Sequence, residues 1–274
     1  MNLQPTDFIL EIGSGHNPKI RSDVLCDKFI DDDTQRGGKI VADRPVVEAD
    51  GQYLPFADAS FDYVICSHVL EHVENPDLLI SELMRVASRG YIETPSEIAE
   101  RLYGWEYHNW VINLIGGQLI IQKNLTKNPF GQLFHTLAAR DRNFAKFHIA
   151  HHDIFLVKYE WAGKIDYKIL PPDASPLDLD SPETIDTMLN RVNCVPLWQR
   201  WFRVAKGFIP KRVVFRTKTF LAKRRKLPKK TLQEIVVCPV CKGSVAWETH
   251  QICCGHCDIN YPIVRRIARM RPPA

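Results

Sequence analysis

The sequence predicts an α/β protein in which a doubly wound, mostly parallel sheet is followed by a small cysteine-rich domain. Three observations support this prediction. Over the first 95 residues, short apolar runs that end in glycine or an acid alternate with helical periodicity. Five of the eight cysteines lie between Cys238 and Cys257. A proline-rich stretch and then a strongly basic stretch separate the two regions.

The apolar runs place five strands in the first part of the chain, because strands that alternate with helices form parallel sheets. The predicted strands are Phe8–Ile12, Asp23–Asp27, Val46–Asp50, Phe61–Cys66 and Arg89–Glu93. Helical spacing of Leu78, Leu79, Leu83 and Val86 predicts a helix before the fifth strand, and a further helix is expected near Glu97. Apolar runs at 155–161 and 165–170, joined by Ala162-Gly163-Lys164, predict an antiparallel hairpin.

Composition indicates a globular protein. The chain has 274 residues, of which 45% are hydrophobic and 25% charged. It has no apolar run as long as a membrane-spanning helix, and its N-terminus lacks the pattern of a signal peptide. We therefore expect a cytoplasmic protein whose cysteines do not form structural disulfides. The predicted organisation is a nucleotide-binding-type domain at 1–178, a linker with a basic segment at 179–231 and the cysteine-rich domain at 232–274.

A glycine motif stands where the first strand meets the following segment. It reads Glu11-Ile12-Gly13-Ser14-Gly15. Glycines at this point let a ligand approach the backbone at the carboxyl end of a parallel strand. The next strand ends in Asp27, where a carboxylate can accept hydrogen bonds from ribose hydroxyls, and the third ends in Asp50. The pattern favours a nucleotide-like ligand.

Two blocks carry a family resemblance. They are Leu10–Pro18 and Asp50–Pro76, the second containing Leu54-Pro55-Phe56 and Ser67-His68-Val69-Leu70-Glu71-His72. Together they resemble the class I S-adenosylmethionine (SAM) methyltransferases, over roughly residues 5 to 170. The resemblance implies a Rossmann-like domain with SAM as cofactor. It places Gly13 and Gly15 near the methionine part, Asp27 on the ribose and Asp50 on the adenine amine. Glu11, Gly51 and Ser67 complete the implied cofactor-binding set.

Methyl transfer to a hydroxyl or an amine needs a base that takes a proton. His68 is the first candidate, because the family resemblance places the end of the fourth strand at the methyl group. His108 is the second, and it stands among Trp105, Tyr107 and Trp110. These aromatic residues belong either to an acceptor pocket or to the core-facing side of a helix.

The acceptor is predicted from one missing motif and one that is present. Cys66-Ser67-His68-Val69 stands where amino-methylating relatives carry Asn/Asp-Pro-Pro-Tyr/Phe, and Thr94-Pro95 follows the fifth strand. Both favour an oxygen on a small molecule or a saccharide. An RNA acceptor (tRNA or rRNA) is the alternative. A second alternative is a non-catalytic scaffold or binding protein that keeps the fold.

The cysteine pattern predicts a metal site. Cys238, Cys241, Cys254 and Cys257 form two C-x-x-C pairs separated by twelve residues. Two such pairs can hold one Zn²⁺ tetrahedrally, and four thiolates leave no open position, so we expect a structural zinc. The segments 232–243, 252–257 and 260–263 resemble the zinc-ribbon activator subunit of tRNA, rRNA and release-factor methyltransferases. This second resemblance implies that a zinc ribbon docks on the methyltransferase domain and stabilises it, for example by adding a strand to a sheet edge.

Charge is distributed unevenly. Residues 196–233 carry 13 Lys/Arg and no Asp/Glu, whereas residues 1–195 carry 18 Lys/Arg and 29 Asp/Glu. Within 197–230, apolar and aromatic residues alternate with basic ones at helical spacing. This segment can contact RNA, lie on an anionic membrane, or bury its aromatic side chains between the two domains. A peripheral position at the membrane is thus one of the expected locations.

Overall fold

A computed structural model describes most of the chain. The described residues are 1–32, 34, 38–125, 128, 130–172, 174, 178, 181–186, 196–207, 209, 213–214, 217, 220–221 and 230–273. About half of the predicted linker at 179–231 and all of the basic cluster at 223–226 fall outside these ranges, and the domain boundaries stay predictions. No helix among the described residues is long and apolar enough to cross a membrane.

Helices and strands alternate in the N-terminal part, as the apolar runs predict. The strands are β1 Ile9–Ile12, β2 Val24–Asp27, β3 Val46–Glu48, β4 Tyr63–Ser67, β5 Arg89–Pro95, β6 Trp110–Ile115, β7 Gln118–Lys123, β8 Leu156–Ala162, β9 Tyr167–Ile169, β10 Ala246–Trp247, β11 Gln251–Cys254, β12 Ile259–Val264 and β13 Ile267–Arg269. The helices are α1 Pro76–Val86, α2 Glu97–Tyr103, α3 Gly131–Arg140, α4 Arg142–Ala150, α5 His152–Phe155, α6 Leu197–Gly207 and α7 Leu232–Ile235.

The described chain separates into two compact units. Unit 1 comprises Met1–Ile92, Glu160–Ile165 and Phe215–Ala274, and unit 2 comprises Glu93–Tyr159 and Asp166–Val214. A ten-stranded sheet has the order β10-β11-β12-β13-β3-β2-β1-β4-β5-β8, and a three-stranded sheet has the order β6-β7-β9. The cysteine-rich segment thus belongs to unit 1 and continues its sheet.

The centre of the large sheet is parallel and apolar. β1 pairs in parallel with β2 on one side and with β4 on the other, and β3 pairs in parallel with β2. All residues of β1 and β2 are buried, which explains their nearly continuous apolar sequence. The loops that follow parallel strands meet at one edge of the sheet. This edge collects the residues after β1, β2, β3 and β4.

Helix α1 begins and packs as its sequence indicates. The side chain of Asn75 accepts hydrogen bonds from the first free backbone N–H groups, and Pro76 occupies the first turn. Leu79, Ile80 and Leu83 are fully buried at helical spacing. The helix therefore buries one apolar face, as the spacing of its leucines predicts.

The predicted α/β class, the five N-terminal strands and the helices at 76–86 and 97–103 are confirmed. The sheet is more mixed than predicted, because β10, β11, β12 and β13 pair antiparallel with one another. The predicted hairpin at 155–170 is wrong. β8 joins the ten-stranded sheet, and β9 pairs in parallel with β7 in the other sheet. An isolated bridge from Ala162 to Lys164 marks the expected turn.

The C-terminal segment adds a strand to the edge of the parallel sheet. β12 and β13 form a hairpin whose turn residues, Arg265 and Arg266, both have positive φ. β13 then pairs in parallel with β3, with Ala268 opposite Val47. The backbone N–H of Met270 donates to the carbonyl of Glu48 at 2.7 Å. The edge of β3 is therefore covered by backbone pairing.

Polar contacts support the same junction at a second place. Lys242 Nζ donates to Glu82 Oε2 at 2.7 Å and to the Leu54 carbonyl at 3.1 Å. Glu82 also binds Arg85 and the backbone N–H of Leu54. Burial raises the pKa of Glu82, but the hydrogen bonds from Arg85 and Lys242 outweigh burial, so this pKa lies below its ordinary value.

We expect Lys242→Met to lower the free energy of unfolding by about 1–3 kcal/mol at neutral pH, because it removes a charged donor from a largely buried carboxylate. The folded pKa of Glu82 is depressed, so its stabilising contribution is complete above the unfolded pKa and is lost as pH falls through the folded value. Urea denaturation at neutral and acidic pH measures both effects. The difference in unfolding free energy between the unaltered protein and Lys242→Met should become smaller in acid.

Lys164→Met is the matched control, since Lys164 is exposed. Equal unfolding free energies for Lys242→Met and Lys164→Met at neutral pH would contradict the role given to the Lys242–Glu82 pair.

Candidate functional site

The glycine loop follows β1 at the carboxyl edge of the parallel strands. Gly13 and Gly15 have φ values of +69° and +49°, which favour glycine at both positions. A Cβ on Gly13 would lie 2.2 Å from Val69 Cγ2, so packing alone already excludes a side chain there. A Cβ on Gly15 would have the Gly13 carbonyl oxygen as its nearest neighbour, at 3.9 Å. Gly15 therefore leaves space above the loop.

Asp27 ties the glycine loop to the end of β2. Its Oδ2 accepts a hydrogen bond from the Gly15 backbone N–H at 2.9 Å, and its Oδ1 accepts one from the Phe29 N–H at 3.1 Å. These two bonds hold the carboxylate of Asp27 against the glycine loop. The predicted ribose residue and the predicted methionine loop are thus adjacent.

Asp50 lies just beyond β3 at the same edge. Its Oδ1 accepts from the Gln52 N–H at 2.9 Å, and its Oδ2 is 2.6 Å from Lys28 Nζ. Burial raises the pKa of Asp50, but the hydrogen bonds from Lys28 and Gln52 outweigh burial, so the pKa lies below its ordinary value. Asp50 is therefore ionised at neutral pH and can accept a hydrogen bond from an amine. Gly51 begins the 3-10 turn that Asp50 caps.

Lys28 is a site residue to which sequence reasoning gave no role. It directly follows Asp27 and pairs with Asp50 across the ends of β2 and β3. No local pattern signalled this role, because the pairing depends on the register of β2 against β3, with Asp27 opposite Glu48. The pair places a cation beside the carboxylate of Asp50.

Glu11 is held by the protein itself. Its side chain is 3% exposed, and Oε2 accepts hydrogen bonds from the Lys19 backbone N–H at 2.8 Å and from the Ser22 hydroxyl. Burial raises the pKa of this carboxyl. Glu11 therefore fixes the segment after the glycine loop, and its assignment to cofactor binding stays a prediction.

The end of β4 presents Ser67 and His68. His68 has φ +56°, and its half-exposed ring places Nδ1 3.3 Å from Glu71 Oε1. Glu71 is almost completely buried. A carboxylate at this distance orients an imidazole and stabilises its protonated form. The geometry supplies a histidine with an exposed ring and a fixed carboxylate partner.

His108 belongs to unit 2 and has a different setting. Its side chain is buried, Nδ1 lies 2.5 Å from Glu100 Oε1, and the ring stacks on Trp105 with centroids 4.9 Å apart. Trp105 also stacks on Tyr103. Residues 104–109 lie between α2 and β6 and are not helical, so the helical alternative for this aromatic stretch is wrong.

A groove of about 540 Å³ borders the glycine loop. It is lined by His16 and by residues 38–43. The Val41 backbone N–H donates to the Gly15 carbonyl at 3.1 Å, which joins one wall of the groove to the loop. Sequence reasoning assigned no role to residues 38–43, because they match none of the motifs.

The four predicted metal ligands come together in the C-terminal segment. The sulfurs of Cys238, Cys241, Cys254 and Cys257 all lie within 4.8 Å of one another. The Sγ atoms of Cys238 and Cys257 are 4.0 Å apart, and those of Cys241 and Cys254 are 3.6 Å apart. The neighbouring Cys253 is outside this cluster. Tyr261 Oη lies 3.3 Å from Cys238 Sγ, where it can donate to a thiolate.

Comparison with known proteins identifies part of the chain. Residues 25–92, which run from β2 to β5, match the family described as methyltransferase domain. A demethylmenaquinone methyltransferase of Thermobifida fusca is 35% identical over 78 residues, covering 26% of this chain and 33% of that protein. An uncharacterized protein of Methanocaldococcus jannaschii is 47% identical over 45 residues, covering 16% of this chain and 22% of that protein. The chain thus spans a third or less of the length of these curated relatives.

Solved structures give weaker matches. A chain from the complex of the Haloferax volcanii Trm112 methyltransferase activator with a methyltransferase is 14% identical, with a TM-score of 0.34, covering 60% of this chain and 85% of that one. A SAM-dependent methyltransferase of Methanosarcina mazei is 16% identical, with a TM-score of 0.28, covering 42% and 69%. These scores are too low to establish a shared fold. The comparisons therefore place a methyltransferase-domain sequence at residues 25–92.

Proposed function

We propose that this protein is a SAM-dependent methyltransferase. The observation that carries the proposal is the shared edge of β1, β2 and β3, where the glycine loop, Asp27 and Asp50 meet. The last two residues lie in the segment that matches the methyltransferase-domain family. Two carboxylates beside an open glycine loop suit a nucleoside that carries both hydroxyl and amine donors.

The residues at this edge fit SAM. Asp50 would accept a hydrogen bond from the adenine amine, Asp27 would accept hydrogen bonds from the ribose hydroxyls, and Gly15 would leave space for the methionine part. When bound, SAM supplies an activated methyl group. The Lys28 ammonium, 2.6 Å from Asp50, keeps that carboxylate ionised before the ligand arrives.

We propose an oxygen of a small molecule or a saccharide as the acceptor. The support is Cys66-Ser67-His68-Val69 at the end of β4, which replaces the motif of amino-methylating enzymes. His68 would take the hydroxyl proton, and Glu71, 3.3 Å away, would stabilise the imidazolium that forms. The burial of His108 and its pairing with Glu100 favour a positioning role in unit 2.

RNA is the alternative acceptor, favoured by the basic segment at 196–233. A non-catalytic scaffold is the second alternative, and it predicts that the edge formed by Asp27 and Asp50 binds no SAM. Binding of RNA would weaken steeply with salt, because each phosphate contact releases counterions, whereas binding of a neutral acceptor would not.

We propose a structural Zn²⁺ in the C-terminal segment. Tetrahedral Zn–S bonds of about 2.3 Å require sulfurs about 3.8 Å apart. The separations of 3.6 and 4.0 Å fit this requirement. Since β13 pairs with β3, the zinc would also hold the strand that covers the edge of the parallel sheet. We infer that this zinc ribbon stabilises the SAM-binding edge.

We expect calorimetric titration to give micromolar affinity for SAM and for S-adenosylhomocysteine. Asp50→Ala should weaken both by at least about tenfold, or about 1.4 kcal/mol, because it removes the acceptor for the adenine amine. Glu74→Ala removes an exposed carboxylate elsewhere and is the matched control. Absence of binding by the intact, zinc-loaded protein would refute the enzyme and favour the scaffold.

We expect about one zinc per chain by elemental analysis. Cys254→Ser should lose the metal and lower the melting temperature, because a small domain of about 40 residues has too little core to fold alone. Cys253→Ser tests the adjacent cysteine, which lies outside the cluster, and should keep both the metal and the melting temperature. Equal losses in the two variants would reject the proposed ligand set.

A further inference from the structure

Helix α6 exposes an apolar surface that the proposed reaction does not use. Leu197 is 72% exposed, Trp198 67% and Trp201 75%. Burial of aromatic side chains normally contributes strongly to stability, so exposed tryptophans on one helix indicate a contact surface. We define these three residues as the α6 apolar surface.

The helix separates apolar from basic positions. With 3.6 residues per turn, positions 197, 198, 201, 202 and 205 share one side, and all are apolar. Positions 200, 203 and 206 fall on the other side, and all are Arg or Lys. The segment 196–233 around the helix has 13 basic residues and no acidic residue. The helix is therefore amphipathic, cationic and rich in tryptophan.

We propose that α6 binds the surface of an anionic lipid bilayer, lying in the plane of the interface. Tryptophan is favoured at the boundary between headgroups and acyl chains, because its ring is apolar and its N–H is polar. Arg and Lys at the opposite positions would extend to anionic headgroups, and further basic residues near the surface add to the attraction. This inference does not depend on the proposed methyl transfer.

Two other occupants fit the surface less well. An RNA contact uses cations and stacking rings on one face, whereas α6 places them on opposite sides. A second copy of the chain would bring together two segments that each carry 13 basic and no acidic residues, and these segments would repel each other. An anionic bilayer offers both an apolar layer and negative charge.

The test is co-sedimentation of the full-length protein with vesicles. We expect binding to vesicles of phosphatidylcholine and phosphatidylglycerol in equal parts, weaker binding in high salt, and little binding to phosphatidylcholine alone. Trp198→Ser/Trp201→Ser should lower the partition coefficient for anionic vesicles at least about tenfold. Phe130→Ser, which removes a 65% exposed aromatic ring outside α6, should change it less than about twofold.

A second double variant separates the electrostatic contribution to binding from the apolar contribution. Arg203→Gln/Lys206→Gln should weaken vesicle binding at low salt and have little effect at high salt. The variant removes only electrostatic attraction to the anionic headgroups, which high salt already screens. Unchanged melting temperatures show that the variants fold.

Two outcomes would overturn the proposal. The unaltered protein could fail to bind anionic vesicles, or the tryptophan variant could bind them as tightly as the unaltered protein. If that variant also loses affinity for a single-stranded RNA, the surface belongs to RNA. If it instead changes from dimer to monomer in sedimentation, the surface belongs to a second copy.

Discussion

The pairing of β13 with β3 is the contact on which the candidate cofactor edge depends. β3 has three residues, and β2 covers only one of its sides. Two residues after its end stands Asp50, and the backbone N–H of Ala49 donates to the Asp27 carbonyl at 3.0 Å. A short strand open on one side would fray easily. By pairing with β3, the C-terminal segment fixes the chain just before the residue proposed to bind adenine.

Ion pairs at Glu48 also support the pairing of β13 with β3. Glu48, the last residue of β3, is buried, and burial raises its pKa. Arg269 and Arg271 lie 3.4 and 3.6 Å from its carboxylate oxygens and act in the opposite direction, but the effect of burial is larger and the pKa of Glu48 stays above its ordinary value. A buried carboxylate without a cation would be costly. The C-terminal strand thus supplies both the backbone partner of β3 and the counter-charges of its acid.

Local patterns predicted the elements better than they predicted their partners. The sequence predicted Asp27, Asp50 and the glycines after β1 correctly. Parallel strands need apolar runs, and the turns at their carboxyl ends carry the polar residues and glycines. The wrong hairpin at 155–170 came from treating neighbours in sequence as neighbours in space. β9 instead pairs with β7, which is formed by residues 118–123.

One missed feature was within reach of the sequence, and another was not. Gly116-Gly117 joins two apolar runs, and both glycines have positive φ, as a two-residue hairpin turn between β6 and β7 requires. That dipeptide signalled the hairpin. By contrast, the pairing of Lys28 with Asp50 depends on the register of β2 against β3, with Asp27 opposite Glu48. No local sequence pattern determines the register between two strands that are far apart in sequence.

The covalent link between the parallel sheet and the C-terminal segment lowers the cost of forming the junction between them. β13 pairs with β3, and Val236 forms a bridge with Phe56. Ion pairs of Lys242 with Glu82, and of Arg269 and Arg271 with Glu48, add to these backbone contacts. Two separate proteins would need a larger interface, because association costs translational and rotational freedom. On one chain that cost falls to the closure of a loop, which grows slowly with loop length. Folding of the C-terminal segment is then the step that sets how often β3 is covered. The metal proposed for the four-cysteine cluster would therefore act on the candidate cofactor edge through β13 and β3.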